Sequence, residues 1–149
     1  MYETVLWATD ASPLSDGALN EALGLLKPGG RLIAFHCDER IPAGRAGGLA
    51  VMADELDLQY KLRGQVEALQ SNGIDAELVV ETSPHSAPGE IAKAAETYGA
   101  DVIVCGTRGY GIVAGVVAGS VAMRLPHVAT CPVVVVSEPA ARNAEPALR

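Results

Sequence analysis

The chain has few of the groups that staple a fold, hold a metal or grip a polyanion. Three cysteines stand among its 149 residues, Cys37, Cys105 and Cys131, with no Cys-x-x-Cys. An odd number of scattered thiols gives no disulfide framework, and their places in or beside apolar runs predict reduced, mostly buried side chains. The three histidines, His36, His85 and His127, lack metal-ligand spacing, so no metal site is expected. Positive charge is scarce too: 11 Lys+Arg against 18 Asp+Glu give a net charge of −7. Such a surface opposes DNA or RNA wrapping and adhesion to anionic lipid, although a local nest of amides can still hold a small anion. The first residues, Met1-Tyr2-Glu3-Thr4, show no basic region and no apolar stretch of the secretory kind. The longest nearly uncharged stretch, Tyr110 to Met123, has 14 residues, short of the ~20 that a membrane span needs. A cytoplasmic location is therefore expected, with no nucleic acid and no membrane as partner.

Hydrophobic residues are 49% and charged residues 19%, enough for one buried core in one domain. The apolar run Val5-Leu6-Trp7-Ala8 predicts a buried strand that ends at Thr9-Asp10. Ser12-Pro13 then reads as a helix N-cap with proline in the first turn. Ala18, Leu19, Ala22, Leu23 and Leu26 follow at helical spacing, and Lys27-Pro28-Gly29-Gly30 stops that helix. Arg31 to His36 predicts a second strand, and Asp38 to Gly48, with one Pro and three Gly, a loop. Met52, Leu56, Leu62, Val66 and Leu69 predict the stripe of a second helix closing at Asn72-Gly73. Ala76 to Glu81 predicts a third strand, Thr82 to Pro88 a loop, and Gly89 to Tyr98 a third helix capped by Gly99. Asp101 to Cys105 predicts a fourth strand, Ser120 opens a fourth helix, and Pro132 to Val136 predicts a fifth strand. Pro126 should kink or end the fourth helix. Trp7 and Phe35 belong to the core, and His127 to the surface. The fold class is α/β: a single doubly wound, Rossmann-like, five-stranded parallel sheet with helices on both faces. The domain spans 1–136, and 137–149 is expected to be a flexible tail.

Open α/β sheets take ligands beyond the carboxyl ends of their strands, where the winding reverses. Two segments fit that place. Ala8-Thr9-Asp10-Ala11-Ser12 follows the first strand. Gly106-Thr107-Arg108-Gly109 follows the fourth, with Gly119-Ser120 at the start of a helix. Gly106 and Gly109 allow close backbone approach, and a helix N-terminus favours an anion. Their spacing, Gly-x-x-Gly, nine residues, then Gly-Ser, suits a polyphosphate held by backbone amides. There is no Gly-Lys-Ser/Thr of a Walker A loop. Gly109-x-Gly111-x-x-x-Gly115 mimics a dehydrogenase fingerprint, but it follows the fourth strand and no Tyr-x-x-x-Lys accompanies it.

The runs Val104-Cys105-Gly106-Thr107-Arg108-Gly109, Gly119-Ser120-Val121-Ala122 and Cys131-Pro132-Val133-Val134-Val135-Val136, with Thr9-Asp10-x-Ser12, resemble the universal stress protein family. The glycine spacing is similar to that of its ATP-binding branch. The resemblance implies an adenine nucleotide, with Asp10 at the ribose or adenine edge and Ala8 and Thr9 beside it. It sets Cys37 against adenine and Cys105 at the flank of the same pocket. Gly106, Gly109, Gly119, Ser120 and Val121 would cradle the phosphates, with Arg108 as a further contact. ATP with Mg²⁺ is the implied ligand, and AMP and cyclic AMP are alternatives. The sequence departs from the family at His85, where glycine is usual, and at Ala122, which lacks a hydroxyl. The function implied is a nucleotide-dependent regulator or switch in the stress response, with no catalytic residue assigned. The alternatives are an interaction module of the same fold that binds no nucleotide, and a slow ATP hydrolase. The valine-rich strand Pro132–Val136 lies at the predicted sheet edge, and a homodimer through it would cover that edge.

Overall fold

Thr9-Asp10 ends the first apolar run because two polar side chains follow four buried ones, and every later element is placed by a similar break. The structure, a computed structural model, describes residues 1–40, 48–107 and 120–137. Its elements are β1 (Tyr2–Ala8), α1 (Pro13–Leu25), β2 (Leu26–Glu39), α2 (Gly48–Ser71), β3 (Asp75–Ser83), α3 (Ala87–Tyr98), β4 (Val102–Gly106), α4 (Ser120–Val128) and β5 (Val133–Val136). The five strands form one parallel sheet in the order β3-β2-β1-β4-β5. The winding reverses between β1 and β4, which places Ala8 and Cys105 at the carboxyl ends flanking the switch point. The expected α/β architecture is therefore present, with β5 at one edge.

Two apolar layers sandwich the sheet. Val5, Trp7, Leu32, Ala34, Val102 and Val104 pack beneath α1 and α2, together with Leu19, Leu62, Val66 and Leu69. Leu6, Ile33, Phe35, Ile103 and Cys105 pack on the other face, beneath Ile91, Ala95 and Leu125 of α3 and α4. Neighbouring residues of one strand thus serve opposite cores, which is why these strands are apolar throughout. Trp7 and Phe35 are core residues, as expected, and Trp7 Nε1 donates to Ser15 O at 2.9 Å. Among the described residues no helix is long and apolar enough to cross a membrane.

Several boundaries move. Ser12 does cap α1, its Oγ accepting Ser15 N at 3.3 Å, but Leu26 is the C-cap rather than a helical residue. β2 then begins at Leu26 because Tyr2 pairs with it, while Thr4 pairs with Arg31, so Lys27 to Gly30 bulge opposite Glu3. Gly30 is required there, since a Cβ would stand 2.7 Å from Glu3 O. β2 also runs past His36 through Cys37 and through Asp38 and Glu39, the last two read above as the start of a loop, because these three pair with Glu81, Thr82 and Ser83 of β3. α2 starts at Gly48, and Leu56 of its expected stripe is exposed, while Leu58 packs inward with Leu62, Val66 and Leu69. α3 starts at Ala87, two residues before Gly89, and Gly99 caps it in the left-handed region at φ 65°. Pro126 does not end α4 at once; the helix continues to Val128. Asp101 lies outside β4, where its Oδ2 accepts Glu3 N at 3.1 Å and Thr4 N at 2.9 Å.

Candidate functional site

The turn after β1 is built by short side chains bonding to nearby backbone. Thr9 N donates to Phe35 O at 2.9 Å, which extends the β1–β2 ladder by one residue. Thr9 Oγ1 accepts Ala11 N at 3.0 Å and the Ser15 hydroxyl at 2.8 Å. Asp10 Oδ1 accepts Ser12 N at 3.0 Å, and Asp10 N donates to Ser15 Oγ at 3.3 Å. Asp10 therefore orders the turn, whatever else it does. Ala11 sits at φ 63°, a left-handed conformation that costs an alanine roughly 1–2 kcal/mol. Its methyl is fully buried, and its carbonyl accepts Lys61 Nζ at 2.6 Å. Strain of this kind, held in place by its surroundings, is common at functional turns.

An apolar bed lies beside this turn, on the α3/α4 face of the sheet. Ala8 and Cys105 are buried in that layer, and Cys37 and Val121 pack against it half-buried. The four come from β1, β4, β2 and the first turn of α4. Four of the residues singled out in the sequence thus share one cluster at the carboxyl ends of three strands. Gly106 is the last residue of β4, paired with Val136, and Ser120 is the first residue of α4. Arg108, Gly109 and Gly119 lie outside the described residues.

Carboxylates and burial govern the thiols. The Cys37 thiol is pushed up to about 12, first by burial and then by Glu39, Glu90, Asp38 and Glu81. Burial alone pushes Cys105 up to about 11, and it also raises Cys131. Of the three, only Cys105 is fully buried; Cys37 and Cys131 are half-buried, against the expectation of mostly buried thiols. Asp38 is buried, with its Oδ2 held by Arg40 Nε at 3.0 Å and by Thr82 Oγ1 at 3.4 Å. Among the described residues no group of three or more His, Cys, Asp or Glu could hold a metal ion. His85 and His127 are exposed, whereas His36 is buried with both ring nitrogens in contact with partners.

Sequence reading missed Ser15 and Lys61, which hold the turn, and Glu39, which reaches α3. Ser15 carried a signal: it stands three residues after the Ser12 cap, where a side chain can reach back. Lys61 and Glu39 carried none, since their partners are far away in sequence.

A doubly wound parallel sheet with a strained polar turn and an apolar bed at its topological switch point defines an α/β protein of the Rossmann-like class. The universal stress protein family matches residues 1–137, and the chain belongs to that family. It is 31% identical over 139 residues to a Thermus aquaticus protein named "Universal stress protein in QAH/OAS sulfhydrylase 3'region", covering 91% of this chain and 99% of that one. The universal stress protein UspA from Lactobacillus plantarum is similar in structure at a TM-score of 0.74 and 19% identity, over 90% of this chain and 97% of that one. A universal stress protein from Archaeoglobus fulgidus, solved in complex with dAMP, is similar at a TM-score of 0.57 and 20% identity, over 91% and 97%.

Proposed function

We propose that the chain binds an adenine nucleotide at the carboxyl ends of β1, β2 and β4 and acts as a nucleotide-dependent switch. The observation that carries this reading is the shared cluster of Ala8, Cys37, Cys105 and Val121 beside the ordered Thr9–Asp10 turn. An apolar bed flanked by a carboxylate fits a flat base and its ribose. The residues present fit the nucleotide further along: α4 opens at Ser120, and a helix N-terminus favours phosphate. Glycine spacing from Gly106 through Gly109 to Gly119 supports a backbone cradle for a polyphosphate, with Arg108, next to Gly109 in sequence, as a further proposed contact. The relative solved with dAMP supports the adenine class. ATP with Mg²⁺ is the ligand proposed. Mg²⁺ would offset the triphosphate charge, which matters for a chain of net charge −7. Ser120 and the backbone of Gly106 would hold phosphate, and Asp10 would meet the ribose or base edge.

Two copies are proposed to pair through β5, an edge strand on which Val135 is 38% exposed. Thermal unfolding with and without Mg²⁺-ATP tests the nucleotide reading. Ligand at 100 times its Kd should add about 2.7 kcal/mol. A melting point unmoved by millimolar ATP, ADP and AMP would remove the proposal.

A further inference from the structure

His36 is 4% exposed and lies inside β2, with each ring nitrogen against an oxygen. Nδ1 is 2.9 Å from Thr9 O, and Nε2 is 2.6 Å from Glu55 Oε1 of α2. A backbone carbonyl only accepts, so Nδ1 must carry a hydrogen. A bare Nε2 would then point its lone pair at a carboxylate oxygen 2.6 Å away, and the two would repel. Gln59 Nε2 donates to the same oxygen at 3.1 Å, which marks Oε1 as an acceptor. One extra proton therefore lies between Nε2 and Oε1, and the short distance fits a charge-assisted bond.

We propose that this buried proton is a clamp: it makes His36 a double donor that ties α2 to the Thr9–Asp10 peptide and holds that peptide's orientation. The peptide is gripped at both ends. His36 holds the Thr9 carbonyl, and Ser15 Oγ receives the Asp10 N–H at 3.3 Å. Removing the proton replaces attraction by repulsion between His36 and Glu55 and loosens the tie of the ring to α2, while Nδ1–H stays on the Thr9 carbonyl. Among the described residues, Asp38, Lys61 and Asp10 beside this contact already have partners. Asp38, the next residue on this face of β2, is bonded by Arg40 and Thr82. Lys61 of α2 bonds Asp16 of α1 and Ala11 O, and Asp10 accepts Ser12 N. Opposite His36 on β3 stands Val80, which is uncharged. Among the described residues, the proton of the clamp thus has one acceptor carboxylate, Glu55. Its bearing on ligand affinity rests on the nucleotide reading above, whereas the clamp itself does not.

Nitrogen-15 correlation spectra of the full chain without nucleotide test the clamp. His36 is expected to show both ring nitrogens protonated at neutral pH, with His36→Gln assigning its signals. A singly protonated His36 overturns the proposal. The Glu55→Gln variant keeps the fold, because a glutamine amide can donate to a bare Nε2, and its His36 should appear protonated at Nδ1 alone. In Glu55→Ala, which takes the acceptor of the clamp away, the Asp10 amide signal should move from its parent position, whereas in Glu55→Gln it should stay close to it. An Asp10 amide indifferent to Glu55→Ala overturns the clamp. ATP affinity should be about 5-fold or more weaker in Glu55→Ala than in the parent chain, at the low end of ordinary coupling, and hold steady in Glu55→Gln. A chain that binds no ATP at any pH sinks the nucleotide reading alone, and the spectra still decide the clamp.

Discussion

The Glu39 carboxylate, at the last residue of β2, accepts the backbone N–H of Ala87, the first residue of α3, at 2.6 Å. Ser86 occupies the N-cap position but makes no side-chain cap bond, so the cap comes from another element. Negative charge at a helix N-terminus is also favoured by the dipole. Replacing Glu39 by Ala should therefore cost about 1 kcal/mol, the usual value of a lost cap. Glu39→Gln keeps an acceptor and should cost less. Urea unfolding checks this: the midpoint should fall in the order parent, Gln, Ala, with an unchanged slope.

A second prediction concerns alkali. The Cys37 and Cys105 thiols are raised from 9.0 to about 12 and about 11 in the folded chain. The folded state therefore binds these protons more tightly than the unfolded one. Their contribution to stability is fully present below about pH 9 and is lost as pH rises through the folded values. Unfolding midpoints should drop steadily above pH 9, and Cys37→Ser should flatten part of that drop. The same shift makes Cys37 a poor thiolate near neutrality. Its alkylation in the native chain should run at least about 100-fold slower than in urea, judged from the scarcity of thiolate. Peptide mapping of the labelled cysteine measures the ratio, and equal rates would count against the burial described.

The nucleotide reading predicts a selective loss in Gly119→Val. A side chain one residue before the start of α4 would intrude on the proposed phosphate cradle. ATP affinity should fall by at least about 100-fold, the scale of two lost charge-assisted bonds. Circular dichroism and the unfolding midpoint should remain near those of the parent. Calorimetric titration of the folded variant measures this, and unchanged affinity would refute the cradle.

The local rules made the alternation of elements legible. Ser12-Pro13 announced a cap, Gly99 announced a stop, and uniformly apolar strands announced burial on both faces. Thr9, Asp10 and Cys105 were placed at the strand ends because a strand's end can be read from its own residues. Cys37-Asp38-Glu39 was not legible as strand, because its polarity is compensated from afar. Asp38 is satisfied by Arg40 and Thr82, and Glu39 by Ala87. The partner of His36 was hidden for the same reason: Glu55 comes from another element, 19 residues on. Leu56 was misread because the apolar stripe runs through Leu58 and leaves Leu56 exposed, a rotation that periodicity around the Gln59 interruption did not fix. The remaining site positions, Arg108, Gly109 and Gly119, rest on motif spacing alone.

The edge strand sets the last prediction. β5 pairs with β4 on one side only, among the described residues, and carries four valines. Val136 is buried and Val134 packs against the α1/α2 core, so charging either would damage the fold itself. Val135 is different: it is 38% exposed, with Met123 and Val128 of α4 also exposed at 59% and 45%. A long apolar edge is a template for strand pairing, and a single inward-facing charge is the usual guard against it. Val135→Glu should thus convert the proposed dimer to monomer while moving the unfolding midpoint of the monomer by no more than about 0.5 kcal/mol, as for surface substitutions. Sedimentation velocity over a range of protein concentrations separates the outcomes. A parent chain that sediments as a monomer throughout removes the proposed dimer, and a Val135→Glu chain that stays dimeric places the pairing surface somewhere other than β5.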